Sequence, residues 1–295
     1  MAFQKATREK SKLRLALAGP SGAGKTLSAL LMAYGITGDW EKIALIDTEH
    51  GRAKFYADRS EFETGGFLYQ EMQPPYSPDK YISMVNEGVD AVGSDGVIII
   101  DSFSHAWSGE GGMLEIQEDI EKKSKKTSFS AWNQTGKIQN NLVNSILSVN
   151  CHTIVTMRTK TAYSMEQNDK GKIMPVKIGL APVQRESVEY EFDIVMNIDQ
   201  YHTAFISKDT TFLDGWTGII TPELGKSLKE WLDEGVEPEI CYDCKRKIYP
   251  EHGRTIQQIA EGTLKNYGRK LCWWCMAKEI QNQKNLERQK GNSDE

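Results

Sequence analysis

The sequence predicts an α/β fold: a mainly parallel central sheet flanked by helices, followed by a small C-terminal module organised by cysteines. Three observations predict it. Short apolar runs alternate with helical stretches through residues 1–235. A glycine-rich turn, GPSGAGKT at 19–26, joins an apolar run to a helical one. Two C-x₂-C pairs, CYDC at 241–244 and CWWC at 272–275, lie beyond the alternating region.

The elements follow in order. LRLALAG (13–19) reads as the first strand, and the stretch 25–35 as the helix after it. IALID (43–47), VIIID (97–101) and TIVTM (153–157) are further strands, with helices expected at 77–92, 112–123 and 128–149. Continuous apolar runs of this kind suit strands covered on both faces, as parallel strands are. Right-handed crossovers would join them. DIVMNID (193–199) and TAFISK (203–208) are close enough to form a hairpin. TPELGKSLKEWLDEG (221–235) reads as a closing helix and VEPE as a linker. The polar, Gly- and Pro-containing stretch 159–187 reads as a long loop or loose hairpin at a strand's carboxyl end, where such segments tend to be functional. The expected domains are a core at 1–235, the cysteine module at 236–280 and a polar tail at 281–295 that frays from helix into disorder.

Composition narrows the class. The 295-residue chain is 39% apolar, and no apolar run approaches the roughly 18 residues of a membrane span. The opening MAFQKATREKSKLRLALAG lacks the apolar core and cleavage site of a secretory leader, so a cytoplasmic location is expected. The net charge of −5 is unevenly spread. From Cys241 onward 11 Lys/Arg stand against 7 Asp/Glu, a balance of about +4, which leaves about −9 on the first 240 residues. A basic end on an acidic body suits a polyanion partner or simply a solvated helix surface.

GPSGAGKT matches G-x-x-x-x-G-K-[ST] in the strand–turn–helix setting the motif requires. Gly19, Pro20, Ser21, Gly22, Ala23 and Gly24 would wrap the phosphates of ATP with backbone N–H groups, at a helix N-terminus that favours negative charge. Lys25 would reach the β- and γ-phosphates, and the Thr26 hydroxyl would ligate Mg²⁺. Asp101, at the end of VIIID, would hold the same ion through water. Hydrolysis also needs a group that positions or deprotonates water. Asp101 is followed by Ser102 and Phe103, so a glutamate must come from elsewhere. Glu49, in IALIDTEHG (43–51), sits at the tip of another strand and is the candidate, the alternatives being a solvated carboxylate or a ribose contact.

LIDTEHGRA resembles the segment of RecA-family recombinases that carries their catalytic glutamate, with Glu49 at that position, and IIIDS resembles their magnesium-binding strand. The stretch from MRTKTAY through QRESVEYEFDIVMNID is similar to phage-encoded RecA-like P-loop ATPases, the AAA-type phage nucleotide-binding proteins that include single-strand-annealing recombinases. The resemblance covers roughly residues 10–220. It implies a RecA-like P-loop core, a homo-oligomeric ring or filament with nucleotide between subunits, and a basic residue of the neighbouring subunit touching the γ-phosphate. Arg158, Lys160 and Arg185 are the candidates for that residue, with Arg158 placed among the nucleotide-binding residues. They could equally read Mg-ATP within their own subunit, contact DNA or be surface charge. His105 and Trp107 lie near the same rim, and His105 could sense the γ-phosphate. The resemblance also implies DNA-binding loops at 105–130 and 159–187. The first holds EKKSKK (121–126), and the second holds Lys160, Lys170, Lys172, Lys177 and Arg185 with Tyr163 among them. The DNA loops of RecA itself have no clear match here, which favours annealing or loading over strand exchange.

Cys241, Cys244, Cys272 and Cys275 form C-x₂-C…x₂₇…C-x₂-C, a donor set for structural Zn²⁺ that leaves no open coordination position. A helix is expected between the knuckles. Lys245, Arg246, Lys247, Arg254, Lys265, Arg269 and Lys270, with Trp273 and Trp274, give the module a basic and aromatic surface that could hold single-stranded DNA or dock a single-strand-binding protein. The expected function is a DNA-dependent or DNA-binding ATPase acting on single-stranded DNA in the host-cell cytoplasm. Its rivals are an ATP-switched annealing adaptor with little hydrolysis, and a P-loop kinase that uses Asp47 or Glu49 to hold an acceptor.

Overall fold

The computed structural model describes residues 6–124, 128–167 and 173–291. The strands are β1 (Arg14–Gly19), β2 (Ile43–Asp47), β3 (Leu68–Glu71), β4 (Val97–Asp101), β5 (His152–Gln167), β6 (Ile173–Pro182), β7 (Ile194–Ile198), β8 (Ala204–Asp209) and β9 (Thr217–Gly218). The helices are α1 (Lys25–Thr37), α2 (Pro78–Val92), α3 (Ser104–Ser108), α4 (Met113–Ser124), α5 (Ser128–Leu147), α6 (Pro222–Leu232), α7 (Ile256–Tyr267) and α8 (Trp273–Gly291). They fall into two compact units, residues 12–232 and residues 6–11 with 233–291.

The larger unit is an α/β layer built on a sheet of order β3-β2-β4-β5-β1-β7-β8-β9. β3, β2, β4, β5, β1 and β7 run parallel, and β8 and β9 add antiparallel pairs at one edge. Strand alternation explains how runs without polar residues bury two faces. Leu15, Leu17, Leu45 and Ile99 join a core with Ala29, Leu30 and Ala33 of α1 and Leu228 of α6. Ala16, Ala18, Ile46 and Ile100 join the opposite core with Tyr81 and Val85 of α2 and Leu142 and Ile146 of α5.

The stretch 159–187 resolves into paired strands. β5 runs on past the sheet and pairs antiparallel with β6, from Thr159↔Pro182 to Gln167↔Ile173. Lys170 and Lys172 lie outside the described residues, as do Lys125 and Lys126 and the side chains of Tyr163 and Lys177. Lys122 and Lys123 pair with Glu118 and Asp119 one turn back on α4, at 3.2 and 3.1 Å. Edge strands β3 and β9 were not anticipated: β3 is half exposed and β9 has two residues.

The smaller unit has a core of Cys241, Ile248, Ile259, Ala260 and Leu271. α7 lies between the knuckles, its first turn closed by a capping box in which Thr255 and Gln258 exchange side-chain-to-backbone bonds. α8 continues through Gly291, and residues 292–295 lie outside the description.

Candidate active site

Parallel strands deliver their carboxyl ends to one rim, so the first loop after each strand can meet there. The turn after β1 bends into α1 through Gly22 (φ +80°) and Gly24 (φ +85°), a left-handed backbone that glycine adopts without strain. Gly24 is the N-cap of α1 and offers no side chain. Lys25 reaches back, its Nζ donating to the carbonyls of Gly19 (3.0 Å) and Pro20 (2.8 Å). The Thr26 hydroxyl donates to Asp101 Oδ2 at 2.6 Å, and Thr156, one strand over on β5, donates to Asp101 Oδ1.

The two carboxylates of IALIDTEHG have separate duties. Asp47 is fully buried. Its oxygens accept the N–H groups of Glu49 and Ala53 and the hydroxyl of Tyr69, at 2.5, 3.1 and 3.2 Å. It therefore shapes the turn that presents Glu49. Glu49 is 15% exposed and grips Arg158 through both oxygens: Arg158 Nε donates to Oε1 at 2.7 Å and Nη2 to Oε2. Arg52 Nη1 stands 4.0 Å away. Behind the pair, the Thr48 hydroxyl accepts from the Ser102 N–H (2.8 Å) and lies 2.6 Å from His105 Nδ1, whose ring stacks on Tyr76.

Electrostatics follow from this packing. Burial pushes the Glu49 carboxyl up, but the hydrogen bonds and charge of Arg158, with His105 and Lys25, outweigh it and hold the group below its ordinary value. Burial raises Asp101 above its ordinary value despite the Thr156 and Thr26 hydroxyls, and the charges of Glu49 and Asp47 add to the rise. Burial lowers Lys25, against the pull of Asp101 and Glu49. Burial and then the Arg158 charge lower His105, which favours a neutral imidazole.

These groups converge on one cleft of about 1020 Å³ lined by Ser21, Gly22, Lys25, Thr26, Glu49, Asp101 and Arg158. One wall is apolar, from Phe55, Tyr56, Phe62 and Ile219. His202 closes the far side, its Nδ1 donating to the Ala23 carbonyl at 3.1 Å. Sequence reading missed His202 and the aromatic wall. His202 sits at the tip of the β7–β8 hairpin and reaches the cleft because β7 pairs with β1, an adjacency that the local sequence does not record. Arg185 lies elsewhere, bonded to Asn140 Oδ1 (2.9 Å) in a hollow of about 300 Å³ beside α5. Among the described residues, neither Lys160 nor Trp107 lines the nucleotide-sized cleft.

The sequence matches the model of an AAA domain family over residues 11–257. The chain belongs to that family. Its α/β architecture and glycine-rich loop are those of a P-loop ATPase domain. A comparison with curated proteins found no match.

The donor sets suit the ions such a domain implies. Thr26 and Asp101 offer adjacent hard oxygens, and the raised proton affinity of Asp101 marks a desolvated carboxylate that a cation would relieve. The sulfurs of Cys241, Cys244, Cys272 and Cys275 all lie within 4.8 Å of one another. The Cys244–Cys272 separation is 3.8 Å, close to the edge of about 3.8 Å that a tetrahedron with Zn–S near 2.3 Å requires. Although burial opposes it, backbone N–H groups of Cys244, Cys272 and Asp243 bring the Cys241 thiol down to about 7, toward the thiolate a metal needs. Among the described residues, no helix is long and apolar enough to cross a membrane.

Proposed function

We propose that this chain is a magnesium-dependent ATPase that works on single-stranded DNA in phage-type recombination, annealing, repair or replication. The observation that carries the reading is the convergence of Lys25, Thr26, Asp101 and Glu49 on one cleft whose opposite wall is aromatic. The phosphates would lie in the glycine turn, and the base against Phe55, Tyr56 and Phe62. Thr26 and Asp101 would hold Mg²⁺, which would neutralise charge on the terminal phosphates. Lys25 leaves the Gly19 and Pro20 carbonyls for the β- and γ-oxygens. Glu49 orients a water in line with the γ-phosphorus and takes its proton as the bond to the bridging oxygen breaks.

The smaller unit supports a nucleic-acid partner. Tyr242, Tyr249 and Trp274 are 62, 64 and 75% exposed. Lys245 lies 4.3 Å from the Tyr242 ring centroid and Lys247 5.7 Å from that of Tyr249. Exposed rings beside cations suit bases stacked along a charged backbone. Part of the basic surface is already committed: Arg269 pairs with Asp243 and Glu279, Lys270 with Glu239 and Lys247 with Glu9. Zn²⁺ on the four cysteines would have a structural role. At the cleft, the exposed Phe55 and Ile219 suit cover by a neighbouring subunit in a ring or filament. A single-strand-binding protein remains the alternative occupant of the module, and the host cytoplasm the expected compartment.

The kinase reading loses Asp47, which is spent on two backbone groups and the Tyr69 hydroxyl. It is left with Glu49 alone, which is paired with Arg158. The adaptor reading draws support from that same ion pair, which lowers the basicity of Glu49. Phosphate release by the wild type and Glu49→Gln, with and without single-stranded DNA, separates them. DNA stimulation that Glu49→Gln abolishes supports the ATPase. ATP-dependent DNA binding with negligible release supports the adaptor.

A further inference from the structure

We propose that His202 reads the sugar of the bound nucleotide: its Nε2 accepts a hydrogen bond from a ribose hydroxyl, so the cleft favours ribonucleotides over their deoxy counterparts. The inference rests on the nucleotide reading of the cleft and adds to it a residue that selects among nucleotides.

Strand order separates the two ends of the cleft. Asp101, Arg158 and Glu49 stand on or just past β4, β5 and β2, all on one side of β1. They supply the charge that terminal phosphates and a cation require. His202 and Ile219 come from the other side of β1, from the β7–β8 turn and from the chain just past β9. Terminal phosphates that face Asp101 leave the sugar to the rest of the cleft, between the glycine turn and the apolar wall that takes the base. Among the described residues that line the cleft from the β7 side, His202, Ile219 and Ile220, His202 alone has a polar side chain.

The hairpin tip holds the ring in place. One oxygen of Asp199 accepts the N–H groups of Tyr201 and Thr203 at 2.8 and 2.9 Å, and the Asp199 carbonyl accepts from the His202 N–H at 3.3 Å. His202 itself takes a left-handed backbone, φ +66°. The hairpin presses on the glycine turn. A Cβ on Gly19 would stand 2.6 Å from the Ile198 carbonyl oxygen, and one on Gly24 3.0 Å from His202 Nδ1. Absent side chains at these two positions let the imidazole lie against the phosphate loop.

The tautomer then fixes what the ring can bind. A carbonyl oxygen only accepts, so Nδ1, 3.1 Å from the Ala23 oxygen, carries the proton. In the neutral ring Nε2 is left as an acceptor, and no group among the described residues donates to it. A phosphate oxygen is itself an acceptor and gives that atom nothing. A hydroxyl does, and the ribose carries two. The exocyclic amine of a base is the more distant donor, because the imidazole lies on the phosphate loop and the sugar is the first group beyond the phosphates.

A comparison of analogues tests this without turnover. Affinities for ATP, 2′-deoxy-ATP, 3′-deoxy-ATP and inorganic tripolyphosphate are measured, with Mg²⁺, on wild type, His202→Ala and His202→Asn. Asn tolerates the left-handed backbone and removes the imidazole acceptor. Wild type is expected to bind one of the deoxy analogues about 3- to 10-fold more weakly than ATP. In both variants that ratio should fall to within about twofold, and tripolyphosphate affinity should change by no more than about twofold. A wild type that binds both deoxy analogues as tightly as ATP overturns the proposal. So does a preference for the hydroxyl that the variants keep. A variant that loses tripolyphosphate as strongly as ATP places the contact on phosphate and overturns it as well. A wild type that binds neither ATP nor tripolyphosphate takes down the nucleotide reading itself, and the sugar contact with it. Should His202→Ala lose the cooperative melting of the wild type, His202→Asn carries the comparison.

Discussion

Asp47, Glu49 and Asp101 are carboxylates within one rim, and their surroundings assign them different work. Asp47 is satisfied by two backbone N–H groups and a phenol. Replacing it with Ala should destabilise the fold by about 1–3 kcal/mol through the donors left unpaired, as read by urea denaturation. Glu49→Gln should lower the hydrolysis rate about 10²–10⁴-fold and remove the ion pair's contribution to stability at neutral pH. Its pH signature has a defined sign. The Glu49 carboxyl is held below its ordinary value, so the stability its ion pair adds is present above the usual carboxylate range and fades as pH falls through the folded value. Asp101 behaves oppositely. Its value is raised by burial, so the charged form costs stability at neutral pH and the cost is relieved as pH falls. Asp101→Asn should therefore raise the melting temperature of the nucleotide-free protein at pH 7 while abolishing magnesium-dependent turnover. A lowered melting temperature would show that the Thr26 and Thr156 hydroxyls need a full carboxylate.

Between elements, the contact that positions the phosphate loop is α1 against α6. The helices cross at Gly35 and Gly225, where a Cβ on Gly35 would stand 2.0 Å from the Pro222 carbonyl and one on Gly225 2.4 Å from that of Met32. Gly225→Ala should cost about 1–3 kcal/mol and weaken nucleotide binding, since α1 carries Lys25 and Thr26. Gly262→Ala is the control: α7 has open space at that position, and the change should stabilise by about 0.5–1 kcal/mol. Thermal melts of the two variants should move in opposite directions. The buried strands were legible because each is an unbroken apolar run, and the loop after β1 because its chemistry is local in sequence. β3 escaped because its exposure alternates and its residues, LYQE, are mixed. His202 and Thr156 escaped for another reason. They reach the site through strand adjacency, β7 beside β1 and β5 beside β4, and no local pattern records adjacency. Glu49 could be placed by its resemblance to a known segment, but its partner Arg158 lies 109 residues away and declared itself only in three dimensions.

At the scale of the molecule, the two units are held by different means. Residues 12–232 bury two extensive apolar layers, one on each face of the sheet. The smaller unit has five buried core residues and four gathered thiols. A core of that size contributes little, so metal bound there would supply much of its folding free energy. Treatment with a strong thiol-compatible chelator, or Cys272→Ser, should remove hydrogen-exchange protection from α7 and α8 while leaving that of β1, β4 and β5 intact. Uniform loss across both units would show that they fold as one. The same division makes a prediction for nucleotide assays: affinity for ADP should survive chelation, because the nucleotide cleft is lined by residues of 12–232 alone.

β5 belongs to two structures at once. Its first half lies between β4 and β1 in the sheet, and its second half pairs with β6 alone. The residue at the junction is Arg158. From Thr159 to Gln167 the free half spans about 30 Å at the usual rise of about 3.3 Å per residue. Geometry alone magnifies displacement along such a two-stranded arm: a tilt of about 2° at its base carries its far end about 1 Å.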